Sequence, residues 1–229
     1  MGTSGKDSSR SDFNGVSQVS LSQADLREKL KGYYLVRGYA ADADPYAVIS
    51  DLPEEEGQRV AVKNDPIRGA DNYQQRLKTE TWLRQNAEAS GVDLAKSTPA
   101  YFAFTNDPDF IAEITAQRSP HKNLIVLPAD QVDLSNWSFT MDDHFFANFD
   151  NGNTAPSHAE PHPLHGRVLN AHQLVQALET YGYPEDPYKN NFEAQMWAIA
   201  PSLLQPQTEQ KAEIDSHIDR RTSIGSGPV

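Results

Sequence analysis

The sequence predicts an α+β fold, a single domain with a mixed, largely antiparallel sheet flanked by helices, and three observations carry that prediction. Helical and extended segments follow one another without the regular strand–helix–strand alternation that builds a parallel sheet. Residues 71–91 carry apolar side chains at the 3.6-residue period of a long helix. The run NNFEAQMWAIAP, from residue 190, alternates with a period of two, as a strand does.

Residues 1–20, rich in Ser, Gly and Asp, read as disordered, and residues 206–229 as a polar flexible tail. The globular domain is expected over 21–205. LSQADLREKL (21–30) opens on a Ser cap and spaces Leu21, Leu26 and Leu30 as a helix. KGYYLVRG follows as a strand. YAVIS and QRVAVK flank the turn-rich DLPEEEG, so 46–63 reads as a hairpin. In the 71–91 helix, Asp71 opens the first turn, Tyr73, Leu77, Leu83 and Ala87 share a face, and Gly91 stands where a helix ends.

PAYFAFT (99–105) is the next strand. A short helix follows, capped by Asp107 with Pro108 in its first turn. KNLIVLP (122–128), almost wholly apolar, predicts a strand covered on both faces. SNWSFTM gives another strand, and HGRVLNAHQLVQALETYG a short strand and then a helix from about Asn170.

The chain has 229 residues, 38% of them hydrophobic, with nine Phe, nine Tyr and three Trp, which suffices for one substantial core. Fifteen Pro and thirteen Gly predict long loops. No segment approaches the roughly 20 apolar residues of a membrane span, so no membrane partner is expected. No secretory leader is visible, which implies a cytoplasmic protein or one secreted by a signal-peptide-independent route. The absence of Cys excludes disulfides, thiolate catalysis and zinc ribbons. A net charge of −12, with Lys and Arg scattered, argues against nucleic acid as a partner. There is no Gly-rich phosphate loop, no G-x-S-x-G elbow and no kinase or Rossmann fingerprint.

The groups that can do chemistry are dispersed. Arg37, inside the apolar YYLVRGYA, needs an acceptor: a structural one, or the anion of a ligand that Gly38 lets approach closely. Ser97, Thr98 and Thr105 surround Tyr101 and Phe104 at a strand-to-helix turn, where hydroxyls either cap or orient a ligand. Glu80 and Arg84 fall in the apolar sector of the long helix, spaced as an i,i+4 ion pair. Glu193, Gln195 and Asn191 point to one face of the last strand with Trp197, a face that is either solvated or built for a ligand. His158, His162 and His165 lie in a Pro-rich loop without the spacing of a metal site, and no metal is expected. Asp142, Asp143 and His144 form either a capped turn or a proton-handling cluster; in the second case a metal-assisted hydrolase is a further possibility.

Taken in order, an Arg on an early strand (LVRG), a hydroxyl on a middle strand (AYFAFTND) and a Glu on a late strand (NNFEAQ) resemble the R-S-E arrangement of ADP-ribosyltransferases. The resemblance implies NAD as the substrate that donates ADP-ribose, and a macromolecular target, most simply a protein, as in a bacterial toxin or effector. It assigns phosphate holding to Arg37, orientation of the cofactor to Thr105 (with Ser97 or Thr98 as substitutes) and stabilisation of the ribosyl cation to Glu193. Gly38, Tyr101 and Phe104 would join the NAD site; Tyr181, Tyr183, Tyr188 and Gln195 would contact the target. The middle strand reads FAFTN where the family has Ser-Thr-Ser, and Asn191 stands where it has Glu or Gln. The competing expectation from charge is a non-catalytic acidic module that docks on a basic protein, as an inhibitor or immunity-type protein does. The sequence leaves oligomeric state open.

Overall fold

The computed structural model describes residues 21–40, 44–64, 66–67, 69–109, 122–142, 162–186 and 190–198. They form one α+β domain: a six-stranded antiparallel sheet and four α-helices. Chain order is α1 (Gln23–Leu30), β1 (Tyr34–Ala40), α2 (Glu54–Asn64), α3 (Gly69–Ala89), β2 (Ala100–Thr105), β3 (Lys122–Pro128), β4 (Trp137–Met141), β5 (Val168–Leu169), α4 (Ala171–Tyr181) and β6 (Phe192–Met196). Short 3₁₀ turns occupy Ile49–Asp51, Ala129–Gln131 and Leu134–Asn136. The strand order is β3-β1-β2-β6-β4-β5, with every neighbouring pair antiparallel.

Local chemistry accounts for the helix ends. Ser22 caps α1 through a capping box with Asp25, and Asn170 caps α4 through one with Gln173. At the end of α3, Val92 N–H bonds to Ala87 C=O and Gly91 N–H to Glu88 C=O, with Gly91 at φ +82. That is a Schellman turn, and the left-handed backbone is why a glycine ends the helix there.

The expected hairpin over 46–63 does not form. Residues 49–51 make a 3₁₀ turn and DLPEEEG begins α2, whose first turn holds Glu54, Glu55 and Glu56. Carboxylates at a helix N-terminus complement its dipole, and α3 supplies a neighbour for α2 to pack on. The helices meet closely: a Cβ on Gly57 would strike the Tyr73 ring, and one on Gly69 the Ala61 carbonyl. The apolar β3 is an edge strand rather than one covered on both faces; Ile125 and Leu127 are buried while Leu124 and Val126 are half-buried. The expected helix after Asp107 and both terminal segments lie outside the described residues.

Register divides the sheet into two faces. Leu35, Leu127, Phe104, Phe192 and Met141 align across five strands, and Phe102, Ala194 and Phe139 across three. Together with Leu26 and Leu30 of α1 and Leu174, Val175 and Ala177 of α4 they form the main core. Val36, Ala103, Glu193 and Thr140 align on the opposite face, followed by Tyr101, Gln195 and Ser138. There α3 packs through Leu83 and Ala87 on Val168, Val92 and Trp197.

Candidate functional site

Arg37 leaves β1 on the core side of the sheet, in register with Ile125. Pairing of β1 with β2 ends at Val36–Ala103, whereas pairing with β3 runs on to Ala40–Lys122. The sheet therefore forks at Arg37, and the guanidinium fills the fork. Nε donates to Pro45 C=O (2.6 Å), Nη1 to Tyr101 C=O (2.8 Å) and Nη2 to Ala47 C=O (2.8 Å). Its plane lies 5.8 Å from the centre of the Phe102 ring. Burial, then the charge of Arg76, lower its pKa from the ordinary guanidinium value. Three backbone carbonyls thus answer the question this arginine poses, and they tie the 44–51 segment to the sheet.

The opposite face holds a connected polar network. Glu80, on α3, is 4% exposed, and its Oε1 accepts three bonds: from Ser50 Oγ (2.7 Å), Arg76 Nε (2.8 Å) and Tyr101 Oη (2.8 Å). Glu80 Oε2 is buried and has no hydrogen-bond partner among the described residues. The expected Glu80–Arg84 pair is replaced by Glu80–Arg76, while Arg84 Nη1 donates to Lys96 C=O (2.7 Å). Arg76 reaches forward to Glu80 over the sheet, whereas the chain returning from α3 offers Arg84 a carbonyl with no strand partner. Arg76 also lies 4.9 Å from the centre of the Tyr101 ring. Burial opposes its charge, but Tyr101 and Glu80 raise its pKa above the ordinary value. The Tyr101 phenol is pushed well above its usual range, by burial first and then by Glu80.

A second chain of bonds runs along β4 and β6. Trp197 Nε1 donates to Ser138 Oγ (2.9 Å), and Ser138 Oγ to Gln195 Oε1 (2.8 Å). Gln195 Nε2 donates to Thr140 Oγ1 (2.9 Å) and Glu193 Oε1 (3.1 Å). Ser138, Thr140, Gln195 and Trp197 are all fully buried, whereas Glu193 is half-buried. A fixed amide thus holds one oxygen of a half-buried carboxylate on this face. The Glu193 charge acts on both Tyr101 and Arg76.

The other expected site residues are distributed as follows. Thr105 Oγ1 accepts Asp107 N–H (2.9 Å), the turn that closes β2. Thr98 Oγ1 bonds Asp51, to which Lys96 also reaches; Ser97 is exposed, and Gly38 pairs with Leu124 on the β3 side. Phe104 is a core residue, stacked on Tyr33 at 5.0 Å and 1% exposed, so no ligand reaches its ring. Tyr183 packs on the core side against Tyr33, Phe104 and Phe192, and its hydroxyl donates to Phe104 C=O (2.9 Å). Tyr181, 41% exposed, meets the edge of His162. Tyr188, Asp143, His144 and His158 lie outside the described residues. The structure therefore brings Glu193, Gln195 and Tyr101 together and sets Arg37, Phe104 and Tyr183 on the other side of the sheet.

Asp142 is the one non-glycine residue with positive φ (+64) among the described residues. Its Oδ2 lies 2.7 Å from His165 Nε2 and its Oδ1 accepts Asn191 N–H (3.0 Å). His165 Nδ1 accepts His162 N–H (3.1 Å), so in the neutral ring Nε2 carries the proton and donates to Asp142. This dyad fastens the end of β4 to the start of β6, two residues before Glu193. Among the described residues no group of three or more acidic, His or Cys side chains is arranged to hold a metal, and no helix is long and apolar enough to cross a membrane.

Arg76, Glu80 and Tyr101 are the residues that sequence reasoning undervalued. Glu80 had one visible sign, a carboxylate inside the apolar sector of a helix; nothing in the spacing tells which arginine answers it. Comparison with protein-family models, with curated proteins and with solved structures gives no significant match for this chain.

Proposed function

We propose that the chain is an NAD-using enzyme of ADP-ribosyltransferase type that modifies a macromolecular target, with the nucleotide on the α3 side of the sheet and Glu193 at the reacting ribose. The observation that carries this reading is a half-buried carboxylate oriented by a fully buried amide, beside an aromatic ring and a guanidinium. Breaking the bond between ribose and nicotinamide develops positive charge on the sugar, and a fixed anion beside it lowers the barrier. Arg76 is the cation for the phosphates: Nε is spent on Glu80, its one hydrogen-bond acceptor among the described residues, which leaves the Nη groups as the donors for a phosphate. Tyr101 supplies the aromatic surface. Arg37 has a different task from the one its place in the sequence implies, because its donors go to backbone carbonyls; it positions the 44–51 segment, which brings Ser50 to Glu80.

Calorimetry with NAD on wild type, Arg76→Ala, Glu193→Gln and Arg37→Lys tests the reading. Saturable binding that is lost in Arg76→Ala and retained in folded Arg37→Lys is the expected result. The net charge of −12 favours a second reading, an acidic module docking on a basic protein. Absence of heat with folded wild-type protein would decide for it.

A further inference from the structure

Glu80 has a feature that holding Arg76 does not require. Three donors crowd onto Oε1 while the buried Oε2 has none among the described residues. Leaving a buried polar atom unpaired costs about 1–3 kcal/mol, and a carboxylate that served only to anchor Arg76 would have its donors spread over both oxygens. One of the three donors differs from the others. Ser50 and Arg76 hold Glu80 in place, whereas Tyr101 belongs to the same sheet face as Glu193, two residues along the strands from it: Tyr101 pairs with Gln195 and Ala103 with Glu193.

We propose that Tyr101 and Glu80 form a proton relay that activates the acceptor nucleophile, with Tyr101 as the group that touches it and Glu80 as the positioning residue that receives the proton. The inference rests on the NAD-using reading of this face. The acceptor, written X–H for a hydroxyl, carboxyl, amine or water, gives its proton to Tyr101 Oη as Tyr101 passes its own proton to Glu80 Oε1 over 2.8 Å. The electron pair of X forms the bond to the ribose C1′. The pair of the breaking C1′–N bond goes to the pyridinium nitrogen, which leaves as neutral nicotinamide. The proton then returns to solvent, so X–H and NAD⁺ give X–ADP-ribose, nicotinamide and H⁺, with no oxidant or further reactant. Two features of the site suit this. The raised phenol pKa keeps Tyr101 protonated at rest and hydrogen-bonded to Glu80. Arg76 keeps the relay next to the phosphates through Glu80 Oε1.

The test uses NAD with water as acceptor and reads nicotinamide release under single turnover, across pH and in heavy water, with NAD affinity measured alongside. Tyr101→Phe keeps the ring and removes the proton; Glu80→Gln keeps an oxygen that accepts from Tyr101 but cannot take a proton. Expected are a fall of roughly 10²–10⁴ in the chemical step for Tyr101→Phe and a comparable fall for Glu80→Gln, NAD affinity within threefold of wild type, and loss of the solvent isotope effect and of the ascending limb of the pH profile. Tyr101→Phe within a factor of two of wild type in rate overturns the relay and leaves the NAD reading standing. So does a Tyr101→Phe defect confined to NAD affinity, which makes Tyr101 a binding surface only. Folded wild-type protein that releases no nicotinamide overturns the NAD reading itself.

Discussion

On the core side of the sheet β4 presents Trp137, Phe139 and Met141 to an apolar interior; on the α3 side the same five residues present Ser138 and Thr140, and all five are buried. The two sides differ in what holds them. Phe139 meets Phe104 edge-on at 5.5 Å, and Phe102 meets Trp137 at 5.0 Å, apolar contacts that need no match of donor to acceptor. Ser138, Thr140, Gln195, Trp197 and Glu193 are held by hydrogen bonds of 2.8 to 3.1 Å, each of which needs a donor aimed at an acceptor. Apolar packing tolerates exchange of like for like, whereas a buried polar chain is sensitive to the loss of any member. The core side therefore supplies most of the stability, and the α3 side supplies oriented groups at a cost in stability.

The sharpest test of that contrast is Phe139→Ala, at a fully buried position. It is expected to cost about 3–5 kcal/mol in denaturant unfolding, and Phe139→Leu much less, because volume rather than direction is lost. On the α3 side the ranking by chemistry should be stricter. Glu80→Ala strands Arg76, Tyr101 and Ser50 and should cost about 2–4 kcal/mol, while the nearly isosteric Glu80→Gln costs less than half of that. If Ala and Gln cost the same, the network is held by packing and the contrast collapses. Arg37→Ala removes the donors to three carbonyls at the fork and should cost about 1–3 kcal/mol by thermal unfolding. Arg37→Lys recovers only part of that, since one ammonium cannot reach all three.

The smallest effect concerns His162. Burial, then the neighbouring His165, lower its pKa below 6.5 in the folded chain. The unfolded chain therefore binds the more protons just below pH 6.5, so this contribution to stability is present above 6.5 and is lost as pH falls through that window. His162→Gln should flatten the dependence of the unfolding midpoint on pH there without moving the midpoint at pH 8. An unchanged slope would mean that His162 titrates alike folded and unfolded.

Short-range chemistry made much of the fold legible. Ser22, Asn170 and Gly91 announce their helix ends because capping is decided within four residues, and the alternation in FEAQM fixes which residues share a face. The 46–63 segment misled because DLPEEEG carries turn residues and helix-opening carboxylates at once; contact with α3 selects the helix. For the site, alternation alone put Glu193 and Gln195 on one face. It could not say whether that face meets water or a helix, because burial depends on what packs above it.

By itself, then, the sequence determined the α+β class, the helix caps, the strands of the sheet and the alternation of β6, all set by neighbours along the chain. Only the tertiary structure decided that Arg37 serves three carbonyls, that Glu80 takes Arg76 rather than Arg84, and that Tyr101 bonds Glu80 on the sheet face it shares with Glu193. Those choices depend on where β1 parts from β2 and on how α3 lies across the sheet, and long-range geometry of that kind leaves no spacing for a sequence to display.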